Sequence, residues 1–395
     1  MTSRPGHPLE QEALICCVRG ESEVDSARSL ATTLAKVTDW DYLLQAALQH
    51  GVFPTLYRRL ADDFPEATPP EFLAKLRGLY QAHARRNLRI VSELLKVLAL
   101  FDSEGIGAIP IKGPVLAAVA YGDMALRQMV DLDILVPLKD LEKAKNLLLS
   151  AGYRPEHALT KKQEQVQIRR FYDFSFIHPQ RTKLELHWRL LDHQGGGPDA
   201  EDAFERRIPV TIEGKTVFSL APDDMLSLLC LHASFHLWSR LSYVMDVARL
   251  VQAQGPWDWP GLVEKARVLG IKRRLLLGLS LARELFGAPV SAAVLAQAEG
   301  DPLVLALRRQ VLRKLFEGGE EEPGLIEKNW FQVRARERPK DKLTYVWSRI
   351  AVPNEDDWQW FHLPDHLYWL YFAVRPLRLT AQYLLLPFWR RWRSA

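Results

Sequence analysis

The sequence is poor in cysteine and has no long apolar run. Its three cysteines, Cys16, Cys17 and Cys230, are too few for a disulfide framework and lack the spacing of a metal motif. No stretch of 18 apolar residues occurs, so the usual length test predicts no spanning helix. The first twenty residues lack the apolar stretch of a signal peptide. We therefore expect a reducing, cytoplasmic setting.

The chain also lacks a strong imbalance of charge. A formal net charge of +4 over 395 residues is too small to indicate a nucleic-acid partner. No basic stripe or groove-reading motif stands out either. Hydrophobic residues make up 48% and charged residues 25%, which are ordinary values for a globular protein. A chain of this length predicts two or three globular domains that act on something other than nucleic acid.

What the sequence does show is a change of pattern along the chain. Residues 1–105 place apolar residues at three- and four-residue spacing, which predicts an N-terminal helical region. Residues 106–220 read as strand, helix, strand, helix and then the β-hairpin "FYDFSFIHPQRTKLELHWRL". Residues 221–395 return to helical spacing and end in an aromatic and basic tail. This order predicts an α+β protein, in which helical regions flank a small domain with a mixed β-sheet.

Acidic residues interrupt two of the apolar strand patterns. In "RQMVDLDILV", Asp131 and Asp133 would share one face, because alternate residues of a strand point the same way. Glu185 is the acid of the second strand, "KLELHWRL". Like charges repel and are costly to bury unless a cation neutralises them. If the strands pair, the three carboxylates converge and could bind Mg²⁺ or Mn²⁺; a solvated strand end is the alternative.

The stretch "IKGP" at 111–114 has features that suit phosphate groups. Lys112 offers a cation, Gly113 allows close approach of the backbone, and the next helix begins with free N–H groups. Arg127, four residues before the first acid, could contact a triphosphate. It could instead form a structural ion pair with Asp123 or Asp131.

Together these features resemble the polymerase-β-like nucleotidyltransferases. The run "IKGPVLAAVAYGDMALRQMVDLDILV" followed by "LELHWRL" is more closely similar to a family of uncharacterised bacterial nucleotidyltransferases with a Lys-Gly turn and an Asp-x-Asp motif. The resemblance implies metal-binding catalytic acids at Asp131, Asp133 and Glu185. It also implies nucleotide-binding residues at Lys112, Gly113 and Arg127.

The activity that this resemblance implies is transfer of an NMP group from an NTP such as ATP. The acceptor would be a hydroxyl of a small molecule, sugar or protein, and pyrophosphate would be released. One departure favours an alternative, because Gly113 is followed by Pro114 where the broad superfamily has serine. Proline offers neither an N–H nor a hydroxyl. The alternative is a catalytically silent nucleotidyltransferase fold that acts as a nucleotide-binding regulator or antitoxin-like partner.

Three histidines could support the acids. His187 shares a strand face with Glu185 and could hold that acid in place or accept a proton, although a hydrogen-bonded strand histidine is the simpler interpretation. His232 and His236 in "HASFH" have a zinc-compatible spacing but no third ligand. We expect them to form a hydrogen-bonded pair near the active site, with Asp246 as a candidate partner.

Two further features have open interpretations. Asp173 on the first hairpin strand could be a fourth acid near the site, but we favour a satisfied surface acid. The tail from residue 366 combines tryptophans and tyrosines with five arginines. Such a helix can lie in a membrane interface, or its arginines can snorkel around a packed terminal helix. We favour packing, with peripheral membrane contact as the alternative.

Overall fold

The computed structural model describes residues 7–19, 24–179, 182–190, 198–317 and 324–382. The N-terminal region is helical, as the apolar spacing predicts. Its helices are α1 (Pro8–Arg19), α2 (Val24–Leu34), α3 (Trp40–Gln49), α4 (Phe53–Asp63) and α5 (Pro70–Ser103). Asp39 caps α3 by accepting a hydrogen bond from the backbone N–H of Tyr42. A proline near the first turn of α4 and of α5 suits a helix start, where no intrahelical N–H bond is lost.

A five-stranded mixed sheet follows and confirms the predicted α+β fold. Its strands are β1 (Ile109–Pro110), β2 (Leu132–Leu135), β3 (Arg154–Pro155), β4 (Asp173–Ile177) and β5 (Leu184–His187). The spatial order is β1-β2-β5-β4-β3, with β2 and β5 parallel and the other pairs antiparallel. The predicted hairpin is therefore the β4–β5 pair; residues 180–181 of its turn lie outside the described residues.

Short helices connect these strands. They are α6 (Pro114–Leu116), which continues as a π-helical stretch (Ala117–Tyr121), α7 (Leu141–Ser150), α8 (Lys161–Arg170) and α9 (Ala200–Glu205). A separate hairpin of β6 (Ile208–Ile212) and β7 (Lys215–Ser219) follows. The sequence patterns did not predict α8, α9 or this hairpin.

The C-terminal region is helical throughout its described part. Its helices are α10 (Pro222–Phe235), α11 (Leu241–Ala253), α12 (Trp259–Leu269), α13 (Lys272–Phe286), α14 (Ala292–Glu299), α15 (Pro302–Glu317), α16 (Leu325–Ala335), α17 (Pro339–Ala351), α18 (Glu355–Trp360) and α19 (Tyr371–Thr380). None of the helices in the described ranges is long and apolar enough to cross a membrane.

The described part of the aromatic tail is packed through two of its arginines. Arg375 and Arg378 of α19 are buried and both bind the carboxylate of Asp357, at 2.6 Å each. The packing that the sequence patterns favour is thus found for these two arginines, and residues 383–395 lie outside the described residues.

Apolar packing determines which face of the sheet is left for polar residues. One face packs against α5 and α7 and buries Leu132, Ile134, Leu186 and Trp188. A larger apolar core joins the N-terminal helices to α10–α15. Since neighbouring residues of a strand point to opposite faces, the polar residues of β2 and β5 lie on the face opposite α5 and α7.

Candidate active site

The central strand pair places two acids side by side. In the parallel register of β2 and β5, Asp133 lies directly opposite Glu185. Their neighbours Leu132, Ile134 and Leu186 point into the core on the other face. Asp133 is buried, and the side chain of Glu185 keeps 23% of its exposure. The sequence-predicted convergence of these two carboxylates is therefore present in the structure.

His187, at the end of β5, joins this pair. Its Nε2 atom lies 3.2 Å from Oδ1 of Asp133 and 3.6 Å from Oε2 of Glu185. One potential ligand atom from each of the three residues lies within 4.8 Å of the other two. The ring of Tyr172 stacks on the imidazole with a centroid separation of 5.7 Å. His187 is thus a member of the acidic cluster.

Asp131 lies one residue before β2, at the edge of the cluster. It is half-buried and does not belong to the set whose ligand atoms lie within 4.8 Å of one another. Burial, reinforced by the negative charge of Asp133, raises the pKa of Asp131 to about 6. The structure therefore brings two of the three predicted acids together with His187 and leaves Asp131 beside them.

Lys112 is the cation next to these acids. Its Nζ atom lies 3.0 Å from Oδ1 of Asp133 and 3.5 Å from Nδ1 of His232. Burial disfavours a charged amine, but the charges of Asp133 and Asp131 outweigh it and raise the pKa of Lys112. Because Lys112 comes from the turn after β1, this contact joins the Lys-Gly turn to the acidic strand.

Asp133 and His187 stabilise each other in their charged forms. Burial alone would raise the pKa of Asp133, but Lys112 and His187 hold it well below its ordinary value. Burial would likewise lower the pKa of His187, but its contacts with Asp133 and Glu185 raise it to about 9. The cluster thus contains an ionised carboxylate between two cationic side chains.

The donor atoms of this cluster fit a divalent cation. Both ring nitrogens of His187 and Oδ1 of Asp133 are buried without a hydrogen bond of favourable geometry, although Lys112 and His187 lie within ion-pairing distance of that oxygen. Carboxylate oxygens suit Mg²⁺ and Mn²⁺, and an imidazole is also a ligand for first-row transition metals. A cation that used His187 would have to displace its ring proton, since metal ligands bind deprotonated.

The Gly-Pro turn lies against the start of the acidic strand. Gly113 has φ +56° and ψ −123°, which side chains strongly disfavour, and Pro114 begins α6. The atom nearest to a Cβ added at Gly113 would be the carbonyl oxygen of Asp131, at 3.8 Å. Glycine is therefore required here by the backbone conformation and not by lack of space.

Arg127 binds an acid on one of the C-terminal helices. Its Nε and Nη2 atoms each donate a hydrogen bond of 2.9 Å to the carboxylate of Asp246 on α11. The hydroxyl of Tyr121 donates a third, of 2.6 Å, to the same carboxylate. The ion-pair partner is therefore Asp246, and neither Asp123 nor Asp131 as the sequence suggested. These bonds attach the segment before β2 to α11.

Asn87 on α5 holds the same segment from the other side. Its side-chain amide donates to the carbonyl oxygens of Met124 at 2.6 Å and Arg127 at 2.9 Å. The sequence patterns did not single out this residue, although a signal was present. Asn87 occupies an apolar-spaced position between His83 and Ile90 of α5, where a fully buried polar side chain needs a partner.

His232 and His236 lie close together at the end of α10. Their ring centroids are 4.6 Å apart, and both rings contact Tyr243. Burial and the positive charge of Lys112 lower both pKa values, that of His236 to about 4. Over the described ranges, neither histidine belongs to a group of three metal-ligating side chains. Their suggested partner Asp246 binds Arg127 instead.

Asp173 lies nearer to the cluster than a surface acid would. It is half-buried on β4, directly opposite His187 in the antiparallel register. Burial, to which the charge of Glu185 adds, raises the pKa of Asp173 to about 6. This places Asp173 as a fourth acid beside the cluster, which is the interpretation that the sequence analysis did not favour.

Comparisons with known proteins give one family match and several distant structural likenesses. The model of the family described as "Uncharacterised nucleotidyltransferase" matches residues 36–287. The chain is also similar to the crystal structure of ANT(2")-Ia in complex with adenylyl-2"-tobramycin, with 17% identity, a TM-score of 0.26, and coverage of 57% of this chain and 97% of that one. A nucleotidyltransferase-like protein from Paracoccidioides brasiliensis shows 15% identity, a TM-score of 0.34, and coverage of 53% and 97%.

Likenesses at these TM-scores carry no argument about function. No curated protein matches the chain at a significant level. The family match, in contrast, spans more than half of the chain and includes the whole acidic cluster. The chain therefore belongs to this family of nucleotidyltransferases, and it is a transferase enzyme by that membership.

Proposed function

We propose that this protein transfers an NMP group from a nucleoside triphosphate to a hydroxyl of a small molecule, sugar or protein, with release of pyrophosphate. The observation that supports this most is the parallel register that sets Asp133 opposite Glu185, beside His187 and Lys112. Lys112 and His187 offset the charge of Asp133, and the partly exposed carboxylate of Glu185 beside it offers further oxygens that can hold a cation. Within a nucleotidyltransferase family, that cation has a direct use in phosphate chemistry.

A divalent cation, Mg²⁺ or Mn²⁺, would be held by Asp133 and Glu185. The third ligand would come from Asp131, as the resemblance implies, or from His187, which lies closer to both acids. When bound, the cation would polarise the α-phosphate and make the attacking hydroxyl more acidic.

The other side chains would position the triphosphate and the strand. Lys112 keeps Asp133 ionised and carries a positive charge that can contact phosphate oxygens. The turn at Gly113 brings backbone next to Asp131. Arg127 would act indirectly, since its bonds to Asp246 fix the segment that leads into β2. ATP is the first candidate donor on the resemblance.

The acceptor would bind toward the C-terminal helices. A cavity beside β4 is lined by Ser175, which lies opposite Glu185 in the register, by His157, Glu164 and Glu355, and by Lys145, Phe174 and Phe176 on the side of α7 and the apolar core. Glu355 belongs to α18, so the sheet and the C-terminal region both contribute to the cavity wall. A mainly apolar cavity with a few polar groups can bind a hydroxyl-bearing acceptor.

One observation favours the silent alternative as a second candidate. The 3.0 Å contact between Lys112 and Asp133 neutralises one metal-facing carboxylate without a cation. A fold that binds a nucleotide but transfers nothing would retain that ion pair. The Gly113-Pro114 turn, which has no serine hydroxyl for phosphate, points the same way.

Calorimetry with non-hydrolysable analogues of ATP, GTP, CTP and UTP, each with and without Mg²⁺ or Mn²⁺, tests the proposal. We expect cation-dependent binding of at least one analogue in the wild type and its loss in Asp133→Asn and Glu185→Gln. Asp131→Asn and His187→Gln show which residue is the third ligand. Asp102→Asn, an exposed acid at the far end of α5, is the matched control and should bind normally.

Label transfer then separates the enzyme from the silent alternative. Release of pyrophosphate from the bound triphosphate, dependent on Asp133, supports transfer. Binding without turnover over a panel of hydroxyl acceptors would favour the regulator. No binding of any analogue by folded wild-type protein with either cation would overturn both.

A further inference from the structure

Three aromatic rings lie beside Lys112 of the candidate active site. Nδ1 of His232 is 3.5 Å from Nζ of Lys112. The ring centroid of His236 lies 4.6 Å from that of His232, and the ring stacks on Tyr243 at 5.6 Å with an angle of 22° between the planes. We call these three residues the ring cluster. All three are only partly buried, so part of their surface is open next to a cation of the site.

The electrostatic surroundings place the ring cluster at the same site as the acids. Burial, together with the charge of Lys112, lowers the pKa of both histidines, so both imidazoles are neutral at pH 7. The charge of Glu185 opposes this shift at His236. Burial raises the pKa of Tyr243, and the charge of Asp131 adds to that shift. The rings therefore lie within electrostatic range of the groups that would hold the cation and the phosphates.

The backbone that follows α10 has an unfavourable conformation, which fixes the ring cluster. Leu237 and Trp238 have φ values of 58° and 55°, in the left-handed region that side chains disfavour. Trp238 is buried, and its backbone N–H donates a hydrogen bond of 2.8 Å to the carbonyl oxygen of Ala233. Its ring packs so closely on α13 that a Cβ added at Gly278 would lie 2.8 Å from it. Strain of this kind persists where the surroundings hold it, and it is concentrated at ligand sites.

The position of the ring cluster relative to the sheet suits a donor nucleotide. In the order β1-β2-β5-β4-β3, Lys112 follows the edge strand β1, whereas the cavity lined by Ser175 lies beside β4. The acids of β2 and β5 lie between these two places. A donor held at the ring cluster and an acceptor held in the cavity would reach the acids from opposite sides, as an in-line displacement requires.

A nucleobase is the ligand whose chemistry fits these rings. Bases stack on the faces of histidine and tyrosine rings, and neighbouring cations strengthen such sites. The largest charges acting on His236 are those of Lys112, Lys328 and Arg240, and Arg240 is exposed. In a nucleoside triphosphate the ribose joins the base to the α-phosphate. A surface that binds the base must therefore lie next to the groups that bind the phosphates, as the ring cluster does.

We propose that the rings of His236 and Tyr243 bind the nucleobase of the donor triphosphate by stacking. This inference rests on the proposed function, because it names the part of the site that recognises the donor. Every base has a ring face, so stacking contributes affinity for the donor more than choice among the four bases. The loss of the two rings should therefore weaken the binding of all four triphosphates.

Calorimetry with two probes in the presence of Mg²⁺ tests the proposal. One probe is the non-hydrolysable triphosphate analogue that the wild type binds most tightly, and the other is inorganic tripolyphosphate, which lacks base and ribose. We expect His236→Ala/Tyr243→Ala to weaken binding of the analogue by about 10–100-fold, since each stacked ring contributes about tenfold. Its affinity for tripolyphosphate should stay that of the wild type. His236→Phe/Tyr243→Phe keeps both ring faces and should restore tight binding of the analogue.

The matched control is Trp259→Ala, which removes one ring of a similar stacked pair beyond the other end of α11. The centroids of Trp257 and Trp259 are 5.7 Å apart, with an angle of 29° between the planes. This variant should bind both probes like the wild type.

The outcomes separate this inference from the proposed function. Unchanged binding of the analogue by the double alanine variant would overturn the inference and leave the proposed function intact. An equal loss of tripolyphosphate binding in that variant would also overturn the inference, because the rings would then act on the phosphates or on the fold. No binding of any analogue by the folded wild type would overturn the proposed function together with the inference.

Discussion

Two groups of buried charge lie on either side of the segment that leads into β2, and they are neutralised in different ways. Around Asp133, Lys112 and His187 supply positive charge, while Glu185 adds a second carboxylate and several buried polar atoms lack a well-formed hydrogen bond. Around Asp246, one guanidinium donates two bonds and Tyr121 a third. The first group has donor atoms available for a ligand. In the second group, both carboxylate oxygens of Asp246 already accept hydrogen bonds.

The same kinds of residue take different roles in the two groups. A bidentate pair between a planar guanidinium and a carboxylate satisfies both partners and fixes their relative orientation. A lysine ammonium is a compact charge that a cation or phosphate can replace or share. We therefore interpret the pair of Arg127 and Asp246 as a structural link between the sheet and α11. The cluster around Asp133 is the candidate active site.

Removal of Arg127 gives the largest expected effect on stability. Arg127→Ala leaves the carboxylate of Asp246 buried with only Tyr121 as a described donor, which should cost about 3–5 kcal/mol of unfolding free energy. Urea denaturation measures this cost. The double variant Arg127→Ala/Asp246→Ala should recover part of it, because no charge is left unpaired. A loss below 1 kcal/mol in the single variant would contradict the structural role.

Removal of Asp133 should affect the reaction more than the fold. Asp133→Asn takes away the charge that would hold the cation, so we expect kcat/KM to fall by about 10²–10³-fold, as for other charged groups directed at a transition state. Steady-state kinetics measures the fall, and circular dichroism confirms that the fold is retained. Asp102→Asn should keep full activity. Comparable activity in the two variants would mean that the cluster is not the active site.

The divalent cation should stabilise the folded protein by binding the group around Asp133, and this effect should not depend on the group around Asp246. Binding to the folded state alone adds about 2.7 kcal/mol at a concentration one hundred times Kd. We expect thermal unfolding of the wild type to shift upward with Mg²⁺ or Mn²⁺, and the shift to vanish in Glu185→Gln. Arg127→Lys, which keeps the charge beside Asp246, should show the full shift. A shift that persists in Glu185→Gln would place the cation elsewhere.

A substitution in the turn at Gly113 should have the smallest effect on the free energy of unfolding. Gly113→Ala forces a side chain into the left-handed region at φ +56°, at a cost of about 1–2 kcal/mol, although the nearest atom leaves room for the added carbon. Gly78→Ala is the matched control, since Gly78 lies within α5 with open space around it. The control should gain about 0.5–1 kcal/mol of stability in the same denaturation experiment. Equal effects at the two glycines would show that the turn is not strained.

Much of the fold could be predicted from local patterns, and the failures also have local causes. Helix α8, "KKQEQVQIRR", has too few apolar residues to show helical spacing; a capping box at Thr160 and Gln163 marks its start. The β6–β7 hairpin did leave a signal that was missed. Glu213 and Gly214 both have positive φ, as in a two-residue hairpin turn, and the glycine between two runs of alternating residues is the signal.

Strand periodicity predicted part of the candidate site. The alternation in "VDLDILV" and "LELHWRL" set Asp133 and Glu185 on polar faces, and the structure pairs them. Periodicity gave no information on distance at the strand end, where Asp131 lies outside the close set of ligand atoms. The partial burial of Asp173 was not predicted either. The residue pattern of a strand carries no information about which distant segments of the chain cover it.

Local sequence patterns were enough to predict the mixed sheet between helical regions, the glycine of the turn and the acids on the sheet's polar face. These follow from backbone geometry and side-chain alternation, which act within a few residues. Contacts between distant segments decided that Arg127 binds Asp246, that His187 joins the acids, and that one face of α17 is exposed. The reason is physical: the partner of a charge or an apolar face depends on packing between segments that lie far apart in the chain.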